Sequence, residues 1–147
     1  MHNLFLQTQL GKNLSETNIS QLFSEASTTN AWQRVIFKLS RELDKIPASY
    51  QIDEYLVPGC DTNVWMVYQE IEGHIYFMAG ADSRIIKGLL AIVLTPLNGI
   101  SLSEYSAFAQ NVYLGELPLS AHLTPSESAS LRAIEDEVST IFQGLNF

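Results

Sequence analysis

In the stretch AWQRVIFKLSRELDKIP, residues 31–47, apolar positions recur at helical spacing. Trp32, Val35, Ile36, Leu39, Leu43 and Ile46 follow an i, i+3, i+4, i+7 stripe, and Pro47 marks the stop. That pattern predicts an amphipathic helix with one face in a core. Residues 19–26 (ISQLFSEA) predict a shorter helix, broken by the STTN that follows. Residues 1–15 are polar with few apolar positions, and are expected to form a loosely tied N-terminal arm.

The period changes after residue 63. VWMVYQEI and HIYFMA are β-branched and aromatic runs on either side of Glu72-Gly73, which predicts an antiparallel hairpin. Residues 83–97 (SRIIKGLLAIVLTPL) are apolar on most sides apart from Lys87, the mark of a largely buried helix, ended by Pro96 and the Asn98-Gly99 turn. Residues 101–110 open with Ser101-x-x-Glu104, a capping-box pattern that predicts a short helix, and a Pro- and Gly-bearing loop follows. The last helix is announced by Thr124 as N-cap, Pro125 at its first position and Glu127 two further on, before a stripe of Leu131, Ile134, Val138, Ile141 and Phe142. No repeat, low-complexity tract or linker interrupts the chain. The expected architecture is one α+β domain over residues 1–147, with helices packed against a small antiparallel sheet.

Between the first long helix and the hairpin lies a polar connector with Tyr50, Ile52, Tyr55 and Leu56, then VPGCDTNVW. Pro58-Gly59 suits the central positions of a type II turn, since proline presets φ and glycine accepts φ > 0. Cys60 therefore falls at or just past a tight turn, one loop upstream of the first strand.

Composition narrows the function. The chain has 147 residues, 46% hydrophobic and 16% charged, enough for one ordered domain with a single core. A net charge of −8 with only 8 scattered basic residues argues against nucleic acid as the main partner, and favours encounter with a basic patch on another protein. One cysteine forms no intramolecular disulfide, and with 3 scattered histidines it supplies no zinc tetrad of the usual spacing. The start lacks a signal-peptide pattern, and the most apolar run, Leu89 to Leu94, is too short to span a bilayer. The expected home is a reducing cytosol, where a free thiol survives. GxGxxG, Walker A, HExxH and GxSxG motifs are all absent, and neither a metal nor a bound cofactor is expected.

Cys60 is the leading candidate for chemistry, because a thiolate is the best nucleophile among ordinary side chains and a glycine-bearing loop allows close approach. The competing reading is a structural cysteine filling a core, since free cysteines are among the most buried residues. Asp61 beside it should raise the thiol pKa. A Cys-His pair would need His2, His74 or His122 to approach in space; capping or surface roles are the simpler reading of each. Asp82-Ser83 suits the cap of the helix beginning near Arg84. Arg84 and Lys87, one turn apart, either present positive charge to a ligand or solubilise one helix face.

Three blocks, VPGCDTNVW, ADSRIIKGLLAIVL and AHLTPSES, in this order and spacing, resemble the SufE family of sulfur-acceptor proteins, including its CsdE branch. The likeness runs from Trp32 to the last helix. It implies a compact α+β fold similar to the IscU-type cluster scaffolds, which use several cysteines as ligands; one cysteine does not make such a scaffold. It further implies that Cys60 accepts sulfane sulfur from the persulfide of a pyridoxal-phosphate-dependent cysteine desulfurase of the SufS/CsdA type, stimulating it. The sulfur would then pass to an iron-sulfur scaffold or another sulfur-using pathway. In that picture the cysteine rests turned inward, Pro58-Gly59 is the hinge, and Gly59, Asp61, Asp82, Arg84 and Lys87 belong to the docking surface. Two alternatives stand beside it: a docking module that regulates a desulfurase without carrying sulfur, and a Cys-His hydrolase. The sequence departs from the family pattern at Asp61-Thr62, at Gly80-Ala81, and at Glu127 and Ser130, where the family usually has Arg and Gly.

Overall fold

The computed structural model describes residues 4–8, 10, 15–107 and 119–145. Within them the helices are α1 (Leu4–Gln7), α2 (Glu16–Ser24), α3 (Thr29–Ser40), α4 (Arg84–Leu94), α5 (Leu102–Ala107) and α6 (Pro125–Leu145). The strands are β1 (Val64–Ile71), β2 (His74–Ala81) and β3 (Ile100–Ser101), in spatial order β1-β2-β3. Short 3₁₀ turns stand at Ala48–Tyr50, Asp53–Tyr55 and Leu119–Ala121. The architecture is the expected one: a single α+β domain with helices on a small antiparallel sheet.

The hairpin pairs along its whole length, Val64 opposite Ala81 and Ile71 opposite His74. Its turn residues Glu72 and Gly73 have φ of 53° and 81°. Two successive positive φ values give the turn whose twist matches that of the strands it joins. Strand alternation then sorts the side chains. Val64, Met66, Ile75, Phe77, Ala79 and Ala81 enter the main core, whereas Trp65, Val67 and Met78 form a smaller apolar layer with Phe5 and Ile46.

At the middle of the main core is α4. Leu89, Leu90, Ala91, Ile92 and Leu94 are fully buried, because α3, α6 and β2 all pack on this helix. Ser83 caps its start, accepting from the Ile86 amide at 3.4 Å. The stripe of α6 is inward as expected at Ile134, Val138, Ile141 and Phe142, with Leu131 half-buried. The Phe142 ring stacks on Tyr105 of α5 at 3.9 Å. The short helix before it ends at Ala107; residues 108–110, expected to continue it, lie outside the described residues, as does most of the loop that follows.

The segment after α3 and the N-terminal segment differ from the sequence-based expectation. The helix expected to run to Pro47 ends at Ser40, where the amides of Arg41, Glu42 and Leu43 bond carbonyls only three residues back. Leu43 packs against the main core while Ile46 packs on the outer layer of the sheet, beside Gly80, so that a Cβ on Gly80 would stand 2.5 Å from Ile46 Cγ2. A continuous helix would hold both residues on one face, and burial of Ile46 across the sheet outweighs the helical period. In the segment read as a loose arm, Phe5 and Leu10 are buried. The Asn98 side chain ties that segment down: its amide donates to the Leu10 carbonyl at 3.2 Å, and its oxygen accepts from the Phe77 amide at 2.8 Å.

Candidate functional site

The cysteine loop is closed at its base by backbone bonds. Val57 N–H donates to the Val64 carbonyl at 2.8 Å, Leu56 bridges to Trp65, and the Asp82 amide donates to the Asn63 carbonyl at 3.2 Å. Between these ties Gly59 has φ +90°, the left-handed value that the third position of a type II turn requires. The turn chemistry read from Pro58-Gly59 is therefore what bends the chain here.

The tip of the loop lies along α6, running antiparallel to it. A Cβ on Gly59 would touch Ala133 Cβ at 3.4 Å. The Ser130 side chain lies beside Cys60. Ser126 Oγ donates to Asp61 Oδ2 at 2.5 Å. Residues 126, 130 and 133 fall on one helix face, so loop positions 61, 60 and 59 meet them in order.

Cys60 is half-buried, its side chain packed against the main core. It is neither an open nucleophile nor a sealed core residue. Burial pushes its pKa up, the Asp61 charge adds to that, and the neighbouring Ser130 hydroxyl opposes both by favouring the thiolate. Ser130 is itself only 3% exposed. Beside the loop runs a groove of about 390 Å³ lined by Pro58, Gly59, Arg132, Ala133 and Asp136, among others.

The remaining sequence candidates divide. Asp82 is exposed and joined to the loop through its amide bond to Asn63. It shares a cavity of about 450 Å³ with Lys87, Lys45 and Trp65. The cap of α4 is Ser83, so Asp82 keeps its carboxylate free of that task. Arg84, one turn from Lys87, is instead held over the Phe37 ring of α3 at 4.5 Å. Neither described histidine is the hydrogen-bond partner of Cys60. His122 stacks on Trp32 at 4.4 Å with Nδ1 bonded to Thr29 Oγ1, and His74 Nδ1 donates to the Gly99 carbonyl at 2.9 Å, at the opposite end of the hairpin from Val64. His2 lies outside the described residues. Among the described residues no group of three or more His, Cys, Asp or Glu is placed to hold a metal ion, and no helix is long and apolar enough to cross a membrane.

Sequence reasoning missed Ser126 as the partner of Asp61 and Ser130 as a neighbour of the thiol. Their one sequence signal is spacing on the α6 face, and nothing local says what that face meets.

A lone half-buried thiol thus stands on a Pro-Gly turn against α6 in a small α+β domain. The family model SufE, described as an Fe-S metabolism associated domain, matches residues 17–141, and the chain belongs to that family. The sulfur acceptor protein CsdE of Escherichia coli (strain K12) is 26% identical over 129 residues, covering 87% of this chain and 88% of that one. The fold is shared with the solution structure of a hypothetical protein from Thermus thermophilus, with a TM-score of 0.65 and 15% identity over 90% of this chain and 96% of the other.

Proposed function

We propose that this protein is a sulfur acceptor that works with a cysteine desulfurase and carries sulfane sulfur as a persulfide on Cys60. The observation that carries the reading is the setting of the only thiol in the chain: half-buried, on a glycine turn whose base is fastened and whose tip rests on α6. Membership of the SufE family and likeness to a protein named as a sulfur acceptor support it.

The chemistry is thiol-disulfide exchange in type. The Cys60 thiolate attacks the terminal sulfur of the desulfurase persulfide. A sulfur-sulfur bond forms to Cys60 as the one in the donor breaks, and the electron pair leaves with the desulfurase cysteine as its thiolate. No external oxidant or reductant is needed, and the proton lost by the Cys60 thiol balances the one that the leaving thiolate regains. At rest the raised pKa keeps the thiol protonated and slow to react with small oxidants. A positive site on the partner lowers that barrier once docking delivers the loop. The docking surface is formed by Gly59, Asp61, Asp82 and Lys87 around the loop, with Arg84 on its α3 side. A single thiol also leaves no resolving cysteine to discharge the persulfide as an internal disulfide. The downstream acceptor in this reading is an iron-sulfur scaffold or another sulfur-using protein of the cytosol.

The test is intact-protein mass spectrometry after incubation with free cysteine and a catalytic quantity of a cysteine desulfurase. Wild type should gain one reducible sulfur atom, and Cys60→Ser none. Complex formation without any sulfur gain on wild type would overturn the carrier reading and leave a docking module.

A further inference from the structure

Past the cysteine loop, β1 continues as an outer strand of the sheet. Its free side is bridged where Leu56 meets Trp65. The ladder to β2 closes with Ile71 opposite His74 across a tight turn, so residues 65, 67, 69 and 71 turn their backbone groups inward to β2 and residues 66, 68 and 70 turn theirs outward. Among the described residues, no backbone bond reaches the outward groups of Tyr68 and Glu70. An open edge of this kind is a template for another strand.

A cavity of about 500 Å³ stands against this edge. Met66 and Tyr68 line it from the helical face of the sheet, together with Glu137 of α6, whereas Phe5, Tyr50, Tyr55 and Val67 line it from the outer face. Lined from both faces, the space lies in the plane of the sheet, where a further strand would run. Exposed apolar side chains gather at the same place: Tyr68 itself, Leu4 and Leu6 on either side of Phe5, and Ile52 between Tyr50 and Glu54.

The chemistry of the lining selects the occupant. Tyr50 meets Tyr55 edge-on at 5.7 Å and Phe5 at 6.2 Å, a row of aromatic rings. The charged side chains among them are the carboxylates of Glu54 and Glu137, and no described lining residue is basic. Glu70 and Glu72, further along the strand and its turn, are exposed. Aromatic faces beside carboxylates attract arginine or lysine. They disfavour a second copy of this chain, which would bring its own acidic edge against this one. A net charge of −8 steers the same kind of basic partner toward the molecule.

We propose that the open edge of β1 and the aromatic, acidic groove beside it form a docking surface separate from the cysteine loop, which takes an extended basic segment of a partner protein by strand addition. Main-chain bonds to Tyr68 and Glu70 hold the segment, and an arginine or lysine seated among the tyrosines and the Glu54 and Glu137 carboxylates selects it.

The probe is a blocked peptide of about six residues alternating arginine and valine, titrated into the isotope-labelled full-length protein and followed by amide chemical shifts. The Tyr68 and Glu70 amides should shift and exchange with solvent about tenfold more slowly at saturation. Glutamate in place of each arginine should weaken binding by about tenfold, and Glu54→Gln or Glu137→Gln by about fivefold, with urea unfolding recorded for each variant. N-methylation of the peptide amides that face β1 should weaken binding by about tenfold with the charge intact. Tyr68→Pro, which removes an outward donor where an edge strand tolerates proline, should act like that methylation. If this variant fails to fold, the methylated peptide on wild type asks the same question. Equal binding of the arginine and glutamate peptides would overturn the basic occupant, and equal binding of the methylated peptide would overturn strand addition. No shift at millimolar arginine peptide would overturn the surface itself. A dimer of the free protein that Tyr68→Pro dissolves would give the edge to a second copy instead. Neither a desulfurase nor sulfur is present, so these outcomes stand apart from the persulfide assay and from the carrier reading.

Discussion

Cys60 shows how one side chain takes its properties from residues distant in sequence. Its neighbour Asp61 was enough to indicate the direction of the pKa shift. The leading cause, however, is burial against the main core, and the opposing one is Ser130, on a helix that the sequence places far downstream. The sign of the consequence follows from linkage. A thiol whose folded pKa is raised favours the protonated native state, so its contribution to stability is complete below the ordinary thiol range, about pH 8.5, and is lost as pH climbs through the folded value. Urea unfolding of wild type and Cys60→Ser at pH 7 and in that alkaline window should show wild type losing more stability than the variant as pH rises. An equal loss in both would mean that the thiol does not titrate differently on folding.

At the level of elements, end signals were more legible than element lengths. The box that starts α6 is present as read: the Thr124 amide donates to Glu127 Oε1 at 2.9 Å, and the Glu127 amide to Thr124 Oγ1 at 3.1 Å. Glu127 also sets negative charge at the positive end of a 21-residue helix. Glu127→Arg removes the reciprocal bond and reverses that charge. It should lower the thermal midpoint by about 2–4 °C, measured by circular dichroism. A midpoint equal to wild type would show that the box contributes nothing net. The Ser101-Glu104 box is formed in the same reciprocal way, and holds the Glu104 carboxyl below the usual range through its bonds to Ser101. By contrast the end of α3 was misread, because Leu43 and Ile46 continue a helical period while packing on different layers.

In the molecule as a whole, the tightest constraint is the crossing of α3 and α4. A Cβ on Gly88 would collide with the backbone carbonyl and side chain of Ile36, so the two helices meet there at backbone distance. Gly88→Ala should destabilise by about 1–3 kcal/mol in urea unfolding, since a helix must shift to admit one methyl group. Gly144→Ala, with nothing within 4 Å, should be neutral or slightly stabilising, as alanine is the better helix former. If the two variants unfold at the same urea concentration, the close crossing carries no energetic weight. Asn98 is a further long-range tie, joining the turn after α4 to β2 and to the N-terminal segment. Asn98→Ala orphans the Phe77 amide and should cost about 1–3 kcal/mol. It should also speed amide exchange at Phe77, measured by hydrogen-deuterium exchange; unchanged exchange there would sink this account.

The hairpin and its turn, the buried character of α4, the capped start of α6 and the bend that carries Cys60 were all determined by the chain's local pattern. Each depends on periodicity or on turn and cap chemistry within a few residues. Where α3 stops, which layer receives Ile46, how the N-terminal segment is tied down, and why Arg84 and Lys87 part company were decided only when the elements packed. So was the partnership of the thiol. Asp61 and Ser126 are 65 positions apart, and the α6 face that meets the loop is selected by α4 and the sheet, which hold both in place. A pattern within one helix says which of its faces is apolar; only the packed core says what stands opposite.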